Sequence, residues 1–188
     1  MKVGRGDQPT FALVLGVAAA ALLLLPFVTS FDDLLTGAAM RLGIDNHISG
    51  LVPAESRMVV VLLNLMGVGA SAHGAYIRVP GSISSLFISW NCLGWQSLLL
   101  LGLTMITGLR GGYNRGALVQ VALAGLLGTF IVNLVRVTVV CLLAARAGYL
   151  AATLFHDYGG TLLLIAWLFG FWASAYRWVL TGGEATSL

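Results

Sequence analysis

The sequence predicts an all-α membrane protein, a polytopic bundle of about four to six transmembrane helices with a small extracytoplasmic hairpin. Three observations carry this expectation. Of 188 residues, 59% are hydrophobic and only 9% charged, where soluble domains carry about 25% charge. Mean hydropathy is +0.94. Several nearly uncharged runs approach the roughly 20 residues needed to cross a hydrocarbon core of about 30 Å. Such crossings and their links use most of the chain, so a single integral membrane domain, 1–188, is expected.

Phe11 to Val28 follows Lys2 and Arg5 and precedes Thr29-Ser30 and "FDD", small residues that resemble a signal-peptide cleavage site. The run is longer than most signal h-regions and is expected to stay as an anchor helix, 11–28. Met58 to Val68 is short, and is expected to enter and return or to lie along the outer surface; if it crosses instead, the N-terminus lies outside. Pro80-Gly81 marks a turn between Tyr76, Ile77, Val79 and Ile83, Leu86, Phe87, Ile88, the β-prone flanks of the hairpin. Leu93 to Leu109 and Thr161 to Leu180 are clear crossing candidates. Gly116 to Ala145 would extend about 45 Å as a helix, so part of it must leave the membrane or bend.

Charge sets sidedness. Arg110 and Arg115 flank the short link "RGGYNR", which the positive-inside rule places in the cytoplasm. Cys92 then lies outside. A helix rising from Arg115 reaches the outer boundary after about 17 to 21 residues, where Asn133 and Arg136 fall. The last helix returns inward to Arg177, so His156 at its start is outside as well. Three reactive side chains therefore converge on one level of one membrane face.

Arg136 is the hardest to treat as packing. An arginine near the centre of a spanning helix costs about 2.5 to 3.5 kcal/mol to insert and usually has a task, although one near an end can snorkel. Asn133, three residues earlier on the same face, makes a polar stripe of it. His156 in "FHDYGG" has Asp157 beside it and can exchange a proton near neutral pH. His47 and His73 have no obvious partners. Cys92 stands in "WNCLGWQS", next to Asn91 and two residues before Gly94, which would let a substrate backbone approach closely. The helix that starts there would direct its N-terminal dipole at the thiol. Cys141, in "VTVVCLLAA", reads as a small apolar filler.

The division of labour follows from proton chemistry. Thiolate is the attacking species, and a thiol of ordinary pKa, about 8.5, needs help to ionise. His156 can take that proton and later pass it to a leaving amine. Arg136 is no base, but can stabilise thiolate or a tetrahedral oxyanion. The reaction class is acyl transfer through a thioester. The three histidines show no metal-ligand spacing, and no nucleotide fingerprint or phosphate loop occurs, so no metal and no cofactor are expected. The net charge of +3 contains no basic tract for nucleic acid.

These residues resemble the exosortase and archaeosortase membrane transpeptidases. The likeness runs from about Leu63 to the last helix: "LLNLMGV", Cys-x-Gly in "NCLGWQSLLLL", Asn-x-x-Arg in "NLVRV", and His before the last crossing in "FHDYGG". It implies a catalytic core at about 57–180, with Cys92 as nucleophile, Arg136 as charge stabiliser and His156 as third member, Asn133, Asn91, Gly94 and Asp157 supporting them. It also implies substrates that are exported proteins ending in a short motif, a transmembrane helix and a basic tail, cut near the motif and passed to a lipid or other acceptor. The setting implied is the cell membrane, with the site extracytoplasmic. Two features set this chain apart as a divergent, short member. The family's commonest cysteine neighbourhood has Glu before and Ser-Gly after, where Asn91 and Leu93-Gly94 stand here, and larger members have several crossings before the core. Two other readings compete: a non-enzymatic assembly or transport subunit in which Arg136 and Asn133 form a polar helix contact, and an acyltransferase using the same thiol on a lipid.

Overall fold

The computed structural model describes residues 33–80, 85–109 and 113–180. The expected anchor helix 11–28 and the charged residues Lys2, Arg5 and Arg110 lie outside the described residues. The chain divides into two units, Met1–Ile44 and Asp45–Leu188. The first contributes a helix, α1, over 33–41. The second carries everything that follows.

The boundary falls at the start of α2 (Ile44–Ile48), which is followed by a 3-10 turn (Ser49–Leu51) and α3 (Val52–Leu65). Pro53 sits in the first turn of α3, where its missing N–H costs nothing. Val52, Glu55, Ser56, Val59 and Leu63 recur at three- and four-residue spacing and form its buried face. Gly67, at φ 77°, ends the helix in the left-handed conformation. The Asn64 side chain then clamps the next segment, accepting from Ala70 N–H (2.7 Å) and donating to its carbonyl (3.2 Å). Ile44–Leu65 forms one helical run of 22 residues, long and apolar enough to cross a membrane by length and composition. The sequence expectation started this element at Met58 and so saw a run too short to cross.

Three short strands follow: β1 (Ser71–His73), β2 (Tyr76–Arg78) and β3 (Leu86–Phe87), antiparallel in the order β1-β2-β3. The pair β2–β3 is the hairpin expected across Pro80, with Tyr76 opposite Phe87. The pair β1–β2, turning at Gly74-Ala75, is additional. Ile77 points inward and is fully buried, while Tyr76 and Arg78 point out.

A second 3-10 turn, Trp90–Leu93, leads to α4 (Trp95–Gly108), which at 14 residues is about 21 Å long and shorter than the expected run from Leu93. The long apolar tract is one uninterrupted helix, α5 (Arg115–Arg146), capped by the Asn114 side chain on Gly116 N–H at 3.1 Å. It does not bend back on itself, and at about 48 Å it outruns a hydrocarbon core of about 30 Å. Gly148 turns the chain into α6 (Tyr149–Leu154). A π-helical turn (Phe155–Gly159) joins it to α7 (Gly160–Ser174), which ends in a second π turn (Ala175–Leu180). Tyr149–Leu180 is thus one helical run of 32 residues, and the glycine pair lies within it rather than at its start.

The seam of α5 organises two cores. Of its buried residues, Val121, Gly125, Thr129, Asn133, Val137 and Cys141 follow each other at intervals of four, with Thr138 beside them. Four residues turn a helix by about 400°, so the stripe drifts about 40° per step and winds some 200° around α5 from Val121 to Cys141. The lower part meets α4 and α7 in a core of Leu101, Val121, Leu168, Phe171 and Ala175. Gly125 lies against Met105, Leu101 and Phe171, and Gly108 against Trp172, the close approach that small residues permit between membrane helices. Trp167 Nε1 donates to Thr129 Oγ1 (3.0 Å), and Tyr176 OH to the Gly108 carbonyl (2.7 Å). The upper part meets α3 and the sheet in a core of Val52, Val59, Leu63, Ile77, Val79, Ile88, Val137 and Cys141. On the outside of α4, α5 and α7, Leu99, Leu103, Ile106, Leu123, Leu127, Leu162 and Phe169 are exposed, as a lipid-facing surface requires.

Candidate functional site

Where the seam of α5 passes from one core to the other, it carries Asn133. The Asn133 Nδ2 donates to the Cys92 carbonyl at 2.7 Å and to Glu55 Oε1 at 2.9 Å. Both partners are acceptors, which fixes the amide with nitrogen toward them. Asn133 is 5% exposed and Glu55 2%.

Cys92 sits in the 3-10 turn ahead of α4, half-buried and unbridged. Its N–H donates to the Ser89 carbonyl (2.9 Å) and its Sγ lies 3.6 Å from Ser89 Oγ. Trp90 and Trp95 stack across the turn with ring centroids 5.7 Å apart, and Trp95 Nε1 donates to Asn91 Oδ1 at 2.9 Å. Asn91 thus staples the turn. Gly94 follows at φ 72°. A Cβ there would stand 2.6 Å from Asn133 Cγ and 2.7 Å from its Oδ1. The close approach that Gly94 allows is therefore that of the Asn133 amide, not of a substrate backbone.

His156 occupies the π turn between α6 and α7, and such turns often occur at functional sites. Its imidazole is close enough to the Cys92 thiol to act on its ionisation. Its Nδ1 is 2.9 Å from Asp157 Oδ1, both side chains being nearly half exposed. Burial pushes the Cys92 thiol up, but the hydrogen bonds with His156 and Ser89 outweigh it and hold the thiol below its ordinary value. Arg136 Nη2 donates to the His156 carbonyl at 3.3 Å, while its buried Nε has no protein partner. A Cβ on Gly160 would lie 2.9 Å from Arg136 Cδ, and one on Gly159 would run into the Phe155 ring. The two glycines make room for the guanidinium and for the Phe155 ring.

The structure thus brings together Cys92, His156 and Asp157 side by side, with Arg136 on the main chain of His156 and Asn133 on that of Cys92. Two members of the cluster, Glu55 and Ser89, escaped sequence reasoning. Glu55 is a lone acid on an apolar helix face, the same signal that drew attention to Arg136, but it precedes Met58, from which the apolar run was counted.

Arg136 lies 21 residues above Arg115 and His156 21 residues from Arg177, each about 32 Å along a helix. The two arginine-bearing ends share the lower core through Ala117, Val179 and Leu180, so the cluster and these ends lie at opposite ends of the two helices.

Fold and site together define a multi-pass helical membrane protein that gathers a thiol, an imidazole and a guanidinium at one end of its bundle. The model of the transmembrane exosortase family matches residues 6–173. The chain belongs to that family, a family of membrane transpeptidases. No curated protein and no solved structure matches it.

Proposed function

We infer that the chain is a cysteine transpeptidase of the cell membrane that works on its extracytoplasmic side, cutting exported proteins near a C-terminal motif that precedes a transmembrane helix and a basic tail. The observation that carries this is the grouping of the Cys92 thiol, the His156 imidazole that lowers it, and Asp157, whose Oδ1 is 2.9 Å from His156 Nδ1. Nucleophile, base and base-orienting carboxylate are the three parts that activated-nucleophile chemistry needs.

The Cys92 thiolate attacks the scissile carbonyl carbon, forming the C–S bond and a tetrahedral oxyanion. Arg136, whose buried Nε has no protein partner, is the group available to that oxyanion. The C–N bond then breaks, and His156 gives its proton to the leaving amine, leaving a thioester. An acceptor nucleophile, on a lipid or another molecule, attacks the thioester carbonyl and returns its proton to His156 as thiolate departs. Arg115 and Arg177 mark the cytoplasmic ends of their helices.

The test is processing of such a substrate in cells that carry the full chain. Cys92→Ala, His156→Ala and Arg136→Ala should each abolish it at normal protein levels, and a hydroxylamine-sensitive adduct should map to Cys92 in the active chain. Processing that survives Cys92→Ala overturns the proposal. An adduct bearing a fatty acyl group instead of a peptide moves the chemistry to lipid acyl transfer.

A further inference from the structure

The deepest titratable group of the cluster does none of the chemistry assigned above. Glu55 is 2% exposed, on the buried face of α3, far from the reactive residues in sequence. A carboxyl group is costly to bury unless it is engaged. One oxygen, Oε1, accepts from Asn133 Nδ2, while the buried Oε2 has no protein partner. The nearby Arg136 guanidinium attracts it electrostatically. The second N–H of the same Asn133 amide is the one that holds the Cys92 carbonyl.

We propose that Glu55 is a positioning residue for Cys92, acting through Asn133. An amide side chain on its own can rotate, and its oxygen could turn toward the Cys92 turn. With Glu55 Oε1 on one side and the Cys92 carbonyl on the other, the orientation seen lets Nδ2 donate to both acceptors, while Asn133 Oδ1 is left without a protein partner. Gly94, pressed beneath the same amide, leaves the turn no room to slide. The carboxyl group thereby fixes the main chain of the nucleophile, and so the thiol's distance from His156. This rests on the reading of Cys92 as nucleophile, and its test is built to separate the two.

The test uses the full chain in lipid nanodiscs, with Cys141→Ala removing the second thiol, and follows the iodoacetamide rate of Cys92 against pH. Glu55→Ala should slow alkylation at neutral pH by about tenfold, the alignment that one hydrogen bond supplies, and shift the rate profile upward in pH. Glu55→Gln keeps an acceptor oxygen for Asn133 and should restore most of the rate. Asn133→Ala should match Glu55→Ala, and the double variant should be no slower than either single one, because both cut the same link. Should Glu55→Ala fail to accumulate, Glu55→Met keeps the length without the acceptor and takes its place. An unchanged profile in Glu55→Ala or Glu55→Met overturns the proposal, as do additive effects with Asn133→Ala or a Gln variant as slow as the Ala variant. If the parent Cys92 itself reacts like a free thiol and ignores His156→Ala, it is the nucleophile reading that falls.

Discussion

Replacing Gly94 with alanine strikes the point where backbone and side-chain constraints coincide. The residue holds φ 72°, a left-handed conformation that costs a residue with a Cβ about 1 to 2 kcal/mol. The new methyl would stand 2.6 Å from Asn133 Cγ and 2.7 Å from its Oδ1, so the amide must swing away. It then gives up its bonds to the Cys92 carbonyl and to Glu55, about 1 kcal/mol each. The sum is about 3 to 4 kcal/mol. Gly74 supplies the control: it has φ 63° and nothing within 4 Å of a built Cβ, so Gly74→Ala should cost only the backbone part. Thermal unfolding in nanodiscs should rank Gly94→Ala well below Gly74→Ala, and adding Asn133→Ala should recover part of the deficit by removing the obstructing amide. Equal melting of the two glycine variants would refute the wedge between Asn133 and the Cys92 turn.

Other outcomes follow from the same geometry. Because His156 and Ser89 lower the Cys92 thiol against the effect of burial, thiolate in the parent chain forms at a pH below the ordinary thiol value; His156→Ala should move the alkylation midpoint upward, cutting the rate at pH 7 while the two curves converge at high pH. Coincident curves would remove His156 from the thiol's surroundings. Gly160→Ala places a methyl against Arg136, whereas Gly170→Ala meets open space; substrate processing should fall in the first and persist in the second, although both glycines are helical. An impermeant thiol reagent added outside cells should label Cys92 and spare Arg115→Cys, and the reverse pattern would invert the sidedness. A reporter cysteine at Leu65 should label from the same side as Cys92, since the end of α3 shares a core with the sheet and with Val137 and Cys141.

Much of this was legible from residue chemistry because a membrane leaves few places for polar groups. Asn133 and Arg136 stood out against an apolar helix, and counting residues from Arg115 and Arg177 sufficed to put Arg136 and His156 at one level. The Pro80 hairpin had its β-prone flanks on either side. What escaped depends on three-dimensional closure. The start of α3 is set by Pro53 and by burial against α5, not by hydropathy, so Glu55 stayed outside the apolar run. The π turn at Phe155–Gly159 has no composition of its own; it follows from packing His156 toward Cys92 while Gly160 admits the guanidinium. Gly94 was singled out for its lack of a side chain, but only the fold shows that Asn133 occupies the space.

The winding of the α5 seam also bears on how such a chain can suit bilayers of different thickness. One extra residue between Thr129 and Asn133 would add only about 1.5 Å of length, yet would rotate the upper core by about 100° against the lower, taking Asn133 off Cys92. Even a full four-residue insertion leaves about 40° of phase error. Growth or shortening is tolerated only beyond the two ends of the seam, below Val121 or past Cys141, so adjustment to a thicker or thinner membrane must come from the helix ends or from tilt of the whole bundle.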